Sequence, residues 1–450
     1  MNLFGAEPRY ARLIHLFNSH KEKPMSRSRK LMIHILLALM LFVGVSSTST
    51  RADAATHTGT DAATDWNAIA VQLLAPARPV PVVFLDLAIV QAAVHDAVQA
   101  IDGRFEPYHV EIPGASGSPE AAAARAAHDV LVNLLPSQAA SLDTTYHNYL
   151  AAHYLAEDDP GVNVGELAAA GILALRADDG RVPNPLPPPF TGGTDPGVWR
   201  PTPPGFAPMA APWLGAVPPF TLKSGDQFRA DAPPPLSSQR YTEDYNEVKA
   251  LGARVNSART PEQNQLASFY TGNLFIVYTQ TLRDVAAAQT DNIGDNARLL
   301  ALGTLAMADA IITAWDSKIY YVFWRPITAI QEGDNDRNVH TVGDPGWQPL
   351  INTPNYPEYP SGANNVAGAL TRMLELYFGT DDITFTVISA NPLLPNPTTR
   401  TYQRFSDLSW DTVDVRIYQG IHFRFADEAA RVQGRHVAEW AFRRFLKPID

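Results

Sequence analysis

The chain has 450 residues, a formal net charge of −11 and 46% hydrophobic residues, which is enough for a sizeable core. The acidic balance disfavours nucleic acid or an anionic membrane surface as a partner. Because the sequence contains no cysteine, disulfides, zinc–thiolate sites and a catalytic thiol are excluded.

Residues 1–54 have the pattern of a leader with a signal peptide. A basic stretch at 27–30 precedes the apolar run 31–45, and Ala-Asp-Ala at 52–54 fits an A-x-A cleavage site. The run is short for a membrane span. We therefore expect cleavage near Ala54 and a secreted or periplasmic chain without an integral membrane domain. Met25 is an alternative start.

Helical patterns dominate the rest of the chain. Apolar periodicity and helix-start signals predict helices over residues 82–102, 119–134, 137–155, 164–176, 242–255, 260–278 and 292–315. Strand-like runs are few, and residues 382–388 are the best candidate. The sequence therefore predicts an all-α fold class. We expect an N-terminal part at 55–230 and a C-terminal part at 231–450 to form one compact domain.

Prolines cluster between residues 183 and 219, which predicts irregular backbone there. Four aromatic residues, Trp199, Phe206, Trp213 and Phe220, indicate that this proline-rich segment packs on the protein. It forms either the wall of a site or a cover over the core.

The stretch from Lys318 to Pro326 reads KIYYVFWRP. Seven residues separate Lys318 from Arg325, about two helical turns, so we expect both cations on one side of a helix that ends at Arg325. They either snorkel to solvent or pair with an acidic side chain or a bound oxyanion. Trp315, about one turn earlier, either walls a pocket or packs in the core.

A second stretch, residues 356–370, reads YPEYPSGANNVAGAL. Its prolines favour an extended approach, and Ser361-Gly362 then opens a helix of small residues. Free N–H groups and the positive end of the helix dipole make this start either an oxyanion seat or an ordinary N-cap.

The third stretch, residues 415–423, reads VRIYQGIHF. Arg416 and His422 do not share one face of a regular helix, but Gly420 between them permits a bend that would let them converge. Asp411 and Asp414 either pair with Arg416 or cap the helix, and we favour the cap.

One further histidine, His95, allows two interpretations. His95 lies inside the apolar helix predicted at 82–102 and is either a satisfied core histidine or a residue that supports a nearby site.

Taken together, K-x6-RP, PSG and R-x5-H resemble the motif set of the superfamily of type 2 phosphatidic acid phosphatases and vanadium-dependent haloperoxidases. The flanks FWRPITAI, PEYPSG and YQGIHFRFA are similar to its secreted, bacterial haloperoxidase-like branch. The direct resemblance covers residues 300–440. It implies a helical bundle in which phosphate or vanadate is cradled by Lys318, Arg325, Ser361, Gly362 and Arg416.

The resemblance further implies that His422 is the catalytic residue and the ligand to vanadium, with vanadate as cofactor. The first function it implies is the oxidation of halide by hydrogen peroxide. The alternative is a secreted acid phosphatase of the same superfamily, which would form a phosphohistidine on His422 and take a phosphate ester as substrate.

The sequence departs from the family pattern at two positions. Ala363 stands where the family has a histidine that acts as general acid–base, and Val415 replaces a serine. General acid–base assistance typically contributes about 10²–10⁴ in rate. Three outcomes follow: His340, Asn364 or Glu358 substitutes, turnover is weak, or the site binds an oxyanion without turnover.

Overall fold

The computed structural model describes residues 61–449. The predicted leader, the signal peptide with cleavage near Ala54 and the alternative start at Met25 lie outside the described residues. The boundary between residues 54 and 55 lies outside them too.

Thirteen α-helices and one antiparallel strand pair form within residues 61–449, so the predicted all-α class is confirmed. The strands are β1 (Phe385–Ile388) and β2 (Thr399–Tyr402), with Phe385 opposite Tyr402. The helices are α1 (Ala62–Ala77), α2 (Val80–Asp102), α3 (Pro119–Leu134), α4 (Ala139–Ala152), α5 (Pro160–Leu175), α6 (Gln239–Leu251), α7 (Pro261–Phe269), α8 (Leu274–Gln289), α9 (Ile293–Tyr321), α10 (Pro326–Gln331), α11 (Gly362–Phe378), α12 (Phe405–Tyr418) and α13 (Arg424–Arg444).

Two helices, α2 and α9, form the centre of the bundle and are buried along most of their length. Both are long and apolar enough to cross a membrane by length and composition, yet they are packed inside the protein. α9 packs against α2, α11 and α13, while α11 packs against α12 and α13. This packing places the three sequence motifs at one end of α9.

The observed helices differ from the prediction in two places described here: one predicted helix is divided, and one observed helix was not predicted. The helix predicted over 260–278 is divided into α7 and α8 at Gly272, which has a φ of 158° and where a Cβ would lie 2.5 Å from the Ala390 carbonyl oxygen. Asn273 then starts α8 by accepting a hydrogen bond from the N–H of Phe275. Helix α1 was not predicted, although Asp61 and Thr64 form a capping box at its start.

The proline-rich segment is irregular, as predicted, and it is fastened to α9. The buried Asp309 carboxylate accepts hydrogen bonds from the N–H groups of Phe220 (2.6 Å) and Thr221 (2.7 Å). The Trp199 N–H donates to the Val322 carbonyl at the end of α9. Trp199 and Phe220 are buried, so the segment packs on the protein as expected, whereas Phe206 is 63% exposed and does not contribute to this packing.

Candidate functional site

Lys318 and Arg325 converge through a turn, not along one helix. α9 ends at Tyr321, and Val322 takes a left-handed conformation with a φ of 48°. The backbone of Phe323 and Trp324 then pairs with residues 197–198 of the proline-rich segment. The prediction that the helix reaches Arg325 is therefore wrong, because this tertiary pairing replaces the last helical turn.

Lys318 holds the loop that leads to Ser361. Its Nζ lies 2.7, 3.1 and 2.6 Å from the carbonyl oxygens of Pro357, Glu358 and Pro360. Burial and the nearby Arg325 lower the pKa of Lys318. Three carbonyl acceptors nevertheless need three N–H donors, which favours the ammonium form.

Arg325 is fully buried and only partly hydrogen-bonded. Its Nε donates to the Tyr356 carbonyl (2.8 Å), and its Nη1 donates to the Ile421 carbonyl (2.8 Å) and lies 3.1 Å from Nε2 of His422. Its Nη2 has no partner among the described residues. The Tyr356 ring covers both cations, 4.9 Å from Nζ of Lys318 and 4.7 Å from Cζ of Arg325.

His422 lies in the turn between α12 and α13. Gly420 makes this turn with a φ of 79°, as expected. Nδ1 of His422 lies 2.9 Å from Oε1 of Glu358, and the same oxygen accepts the Phe423 N–H at 2.9 Å. Nδ1 therefore carries the hydrogen, and the lone pair of Nε2 faces Arg325. Burial and the neighbouring cations lower the pKa of His422, so the ring is neutral at pH 7.

Glu358 is the partner of His422. Burial raises the pKa of Glu358 to about 8. Its second oxygen, Oε2, is buried without a partner within residues 61–449. A proton on Oε2 leaves Oε1 free to accept from both donors, so the tautomer of His422 is the same in either ionisation state of Glu358.

The start of α11 lies beside the cluster formed by Lys318, Arg325, Glu358 and His422. Ser361 precedes the helix, but its hydroxyl does not cap an N–H group of the first turn, so the ordinary N-cap is not formed. The hydroxyl instead accepts a long hydrogen bond, 3.4 Å, from Nδ2 of Asn364. The Trp315 ring packs over this turn and would lie 3.1 Å from a Cβ at Gly362.

Sequence reasoning missed Asp427. Its Oδ1 accepts a hydrogen bond from Nδ2 of Asn364 (2.7 Å), and both side chains are fully buried. Burial and the neighbouring Glu358 raise the pKa of Asp427 well above its ordinary value. Acidic residues are common in the first turn of exposed helices, so its position in α13 gave no signal of a buried site.

Arg416 reaches the site from α12. Its Nη1 donates to Oε1 of Gln419 (2.7 Å), while its buried Nε lacks a partner in the described chain. Asp411 bonds Arg400 and Asp414 bonds Arg424, and both aspartates lie inside α12. Both interpretations of these aspartates are therefore wrong, because nearer cations bind them.

Two histidines considered in the sequence lie elsewhere. His95 is buried within α2, and its Nε2 lies 3.0 Å from the Glu106 carbonyl oxygen. Burial lowers the pKa of His95 to about 4. His340 is exposed in a loop, where its backbone bonds the side chains of Asn338 and Asn246. The structure does not bring either histidine into contact with His422.

A cavity of about 420 Å³ opens beside this cluster. Gly362, Ala363 and Arg416 form part of its wall, and Trp315 and Tyr356 line it as well. Lys318, Arg325 and His422 are not among its lining residues, and the Tyr356 ring lies over Lys318 and Arg325. Ala363 faces the space that a histidine at this position would occupy.

The charges of the cluster favour a bound anion. Three buried cations, Lys318, Arg325 and Arg416, are matched by two carboxyl groups whose pKa values are raised. Within residues 61–449, two guanidinium nitrogens, Nη2 of Arg325 and Nε of Arg416, are buried without acceptors, and unpaired buried charge of this kind is costly. A tetrahedral oxyanion such as vanadate or phosphate would accept from these donors and from the first turn of α11, so the residues fit such a group.

Known proteins resemble this chain in sequence and in fold. The family model described as VCPO second helical-bundle domain matches residues 298–450, which contain all three motifs. The vanadium chloroperoxidase of Curvularia inaequalis is 27% identical over 293 residues, 50% of this chain and 47% of that protein. The chain thus matches about half the length of this relative.

Solved structures share the fold over most of the chain. A bacterial vanadium-dependent iodoperoxidase superposes with a TM-score of 0.73 at 23% identity, covering 86% of this chain and 96% of that one. The holo form of a bacterial vanadium-dependent chloroperoxidase gives 0.66 at 17% identity, covering 81% and 91%. The matched second helical-bundle domain and this shared fold together support placing the chain in the vanadium-dependent haloperoxidase superfamily.

Proposed function

We propose that the protein is an exported, vanadate-dependent haloperoxidase-like enzyme that oxidises halide with hydrogen peroxide. The observation that carries the proposal is the unprotonated Nε2 of His422, which meets only Nη1 of Arg325 among the described residues and lies near the unpaired nitrogens of Arg325 and Arg416. A neutral imidazole nitrogen is the form that binds a metal centre. The relatives are named as vanadium enzymes, which supports vanadate as the anion.

Each residue has a role in this proposal. His422 would bind vanadium, while Arg325, Arg416, Ser361 and the N–H of Gly362 would bind its oxygens. Lys318 would exchange one of its three carbonyl acceptors for the anion. Bound vanadate supplies a Lewis-acidic centre that activates peroxide toward halide.

Glu358 would keep the hydrogen on Nδ1 of His422, so that Nε2 stays free for the ligand. Proton transfer needs another group, because Ala363 replaces the expected histidine. Asp427 accepts a hydrogen bond from Asn364 beside Ser361, and burial raises its pKa well above the ordinary value, so Asp427 is our candidate for this proton transfer.

The same geometry supports a phosphatase as the alternative. Nε2 of His422 would attack the phosphorus of a phosphate ester and displace its alcohol, which leaves with a proton, to form a phosphohistidine. Water would then hydrolyse the phosphohistidine to phosphate, and the arginines would stabilise the negative charge in both steps. The alanine at position 363 supports a third candidate, a member that binds oxyanions with weak or no turnover, since no general acid replaces the histidine directly.

One experiment separates the three candidates. Purified protein is incubated with orthovanadate and assayed for peroxide-dependent bromination of a dye, with His422→Gln as the control. Bromination that needs vanadate, is inhibited by phosphate and is lost in the control supports the haloperoxidase. Hydrolysis of phenyl phosphate without bromination supports the phosphatase. A vanadate-dependent rise in melting temperature without either activity supports the binding protein.

A further inference from the structure

We propose that the cavity beside α11 binds one neutral aromatic molecule of one or two rings, next to the oxyanion seat. The binding site follows from the cavity itself, whereas its role as an organic substrate site depends on the proposed haloperoxidase function. The cavity's size, lining and position each support this occupant.

The lining is rich in aromatic rings, and several of their polar atoms already form hydrogen bonds within the protein. The hydroxyl of Tyr270 bonds that of Tyr402, and Nε1 of Trp315 donates to the Ala210 carbonyl. The cavity therefore meets mainly ring faces and edges, which favour another aromatic ring. The aromatic lining residues are Phe84, Tyr270, Phe275, Tyr278, Trp315 and Tyr356.

The size of the cavity suits a small ring system. An apolar cavity of roughly 150 Å³ is enough for benzene. This cavity has about 420 Å³, within the usual range for small-molecule sites. One bicyclic molecule such as indole fits this volume.

The position of the cavity connects it to the oxyanion seat. Gly362 and Ala363 form its wall on the side of α11, and the small methyl group of Ala363 leaves this side open. Arg416, whose unpaired Nε would bind the anion, is the one charged residue in the lining. Arg416 would repel a cationic ligand, and the bound oxyanion, once paired with Arg416, would repel an anionic one, so we expect a neutral ligand.

An occupant of this cavity would receive the oxidised halogen before it escapes. In the balanced reaction, ArH + Br⁻ + H₂O₂ + H⁺ gives ArBr + 2 H₂O. Bromide loses two electrons to peroxide, both peroxide oxygens leave as water, and the ring exchanges a C–H bond for a C–Br bond. Peroxide and bromide are the co-substrates of the proposed function.

Binding is tested by calorimetric titration of the whole protein with indole, and separately with orthovanadate. Leu274→Trp should fill the cavity from the start of α8, and Val80→Trp is a second filling variant should the first fail to fold. Leu167→Trp on α5 is the matched control, since Leu167 is 46% exposed and lies outside the cavity lining.

We expect indole to bind the wild type and Leu167→Trp at one site. In a filling variant, the loss of indole affinity should be tenfold or more and should exceed any loss of vanadate affinity. No indole binding to the wild type, or equal affinity in all variants, overturns the proposal. If indole binds but vanadate does not, the cavity site stands and the proposed function fails.

A second measurement tests the substrate role. Indole bromination is compared with triiodide formation from iodide, which needs no organic acceptor. In a filling variant, indole bromination should fall at least tenfold more than triiodide formation. An equal fall in both reactions would show that oxidised halogen reacts in solution and would overturn the substrate role.

Discussion

Oε1 of Glu358 accepts a hydrogen bond from Nδ1 of His422 across 2.9 Å, and both side chains are buried. This contact determines which ring nitrogen can meet a ligand. It also buries a titratable carboxyl group whose pKa is raised from its ordinary value to about 8.

Glu358→Gln should flatten the pH dependence of stability. Because the folded-state pKa of Glu358 is raised, its contribution to stability is fully present below about 4.5 and is lost as pH rises through about 8. The melting temperature of the wild type should therefore fall more steeply between about pH 5 and about pH 9 than that of the variant. Glu243→Gln, at an exposed position on α6, should behave like the wild type. Parallel curves for Glu358→Gln and the wild type would contradict the raised pKa.

Arg416→Met should weaken vanadate binding by about tenfold or more, because hydrogen bonds to charged groups contribute roughly 1.5–3 kcal/mol. The ligand-free protein should lose only about 1 kcal/mol of stability, since one hydrogen bond to Gln419 is lost while an unpaired buried charge is removed. Calorimetric titration and urea unfolding measure the two effects.

Arg424→Met provides the control for this arginine. Its guanidinium bonds Glu247 and Asp414, not the site residues. This variant should lower stability but keep vanadate affinity within about threefold of the wild type. If Arg416→Met retains full vanadate affinity, Arg416 does not bind the oxyanion.

Ala363→His should raise turnover by about 10²-fold, because general acid–base assistance contributes about 10²–10⁴. The new side chain has room in the cavity that Ala363 lines. Ala363→Phe fills similar space without a titratable group and should give no gain. Equal rates in both variants would mean that proton transfer does not limit the reaction.

Gly420→Ala should destabilise the protein by about 3 kcal/mol or more. Its φ of 79° is costly for alanine, and a Cβ would clash with the Gly252 carbonyl and lie 2.9 Å from Cβ of Pro349. Gly379→Ala has a similar φ of 68° but meets nothing within 4 Å, so it isolates the backbone cost of about 1 kcal/mol. Urea unfolding of both variants measures the difference.

The sequence predicted the elements whose signals are local. The Pro-Glu start of α3 and the apolar run of α2 gave helices close to those observed. Tertiary contacts decided the rest. The backbone of Phe323 and Trp324 pairs with residues 197–198, and this pairing ends α9 before Arg325. The sequence near Lys318 contains no pattern that predicts the pairing.

The candidate site shows the same limit. The motif set brought His422, Lys318 and Arg325 to attention, and the structure places them in one buried cluster. The roles of Glu358 and Asp427 depend on which carboxyl groups become buried against that cluster. Burial of a carboxyl from a distant segment is a property of the packed bundle, and no local pattern reports it.

The link between Asp309 and the turn at residues 220–222 bears on where an autonomous folding unit ends. A fragment that begins at residue 298, the start of the matched region, would lack the backbone N–H groups of residues 220–222 that donate to this carboxylate. It would also leave bare the side of α9 that packs against α2. The second helical-bundle domain is thus a unit of sequence comparison, whereas the unit that folds must include the earlier helices and the proline-rich segment.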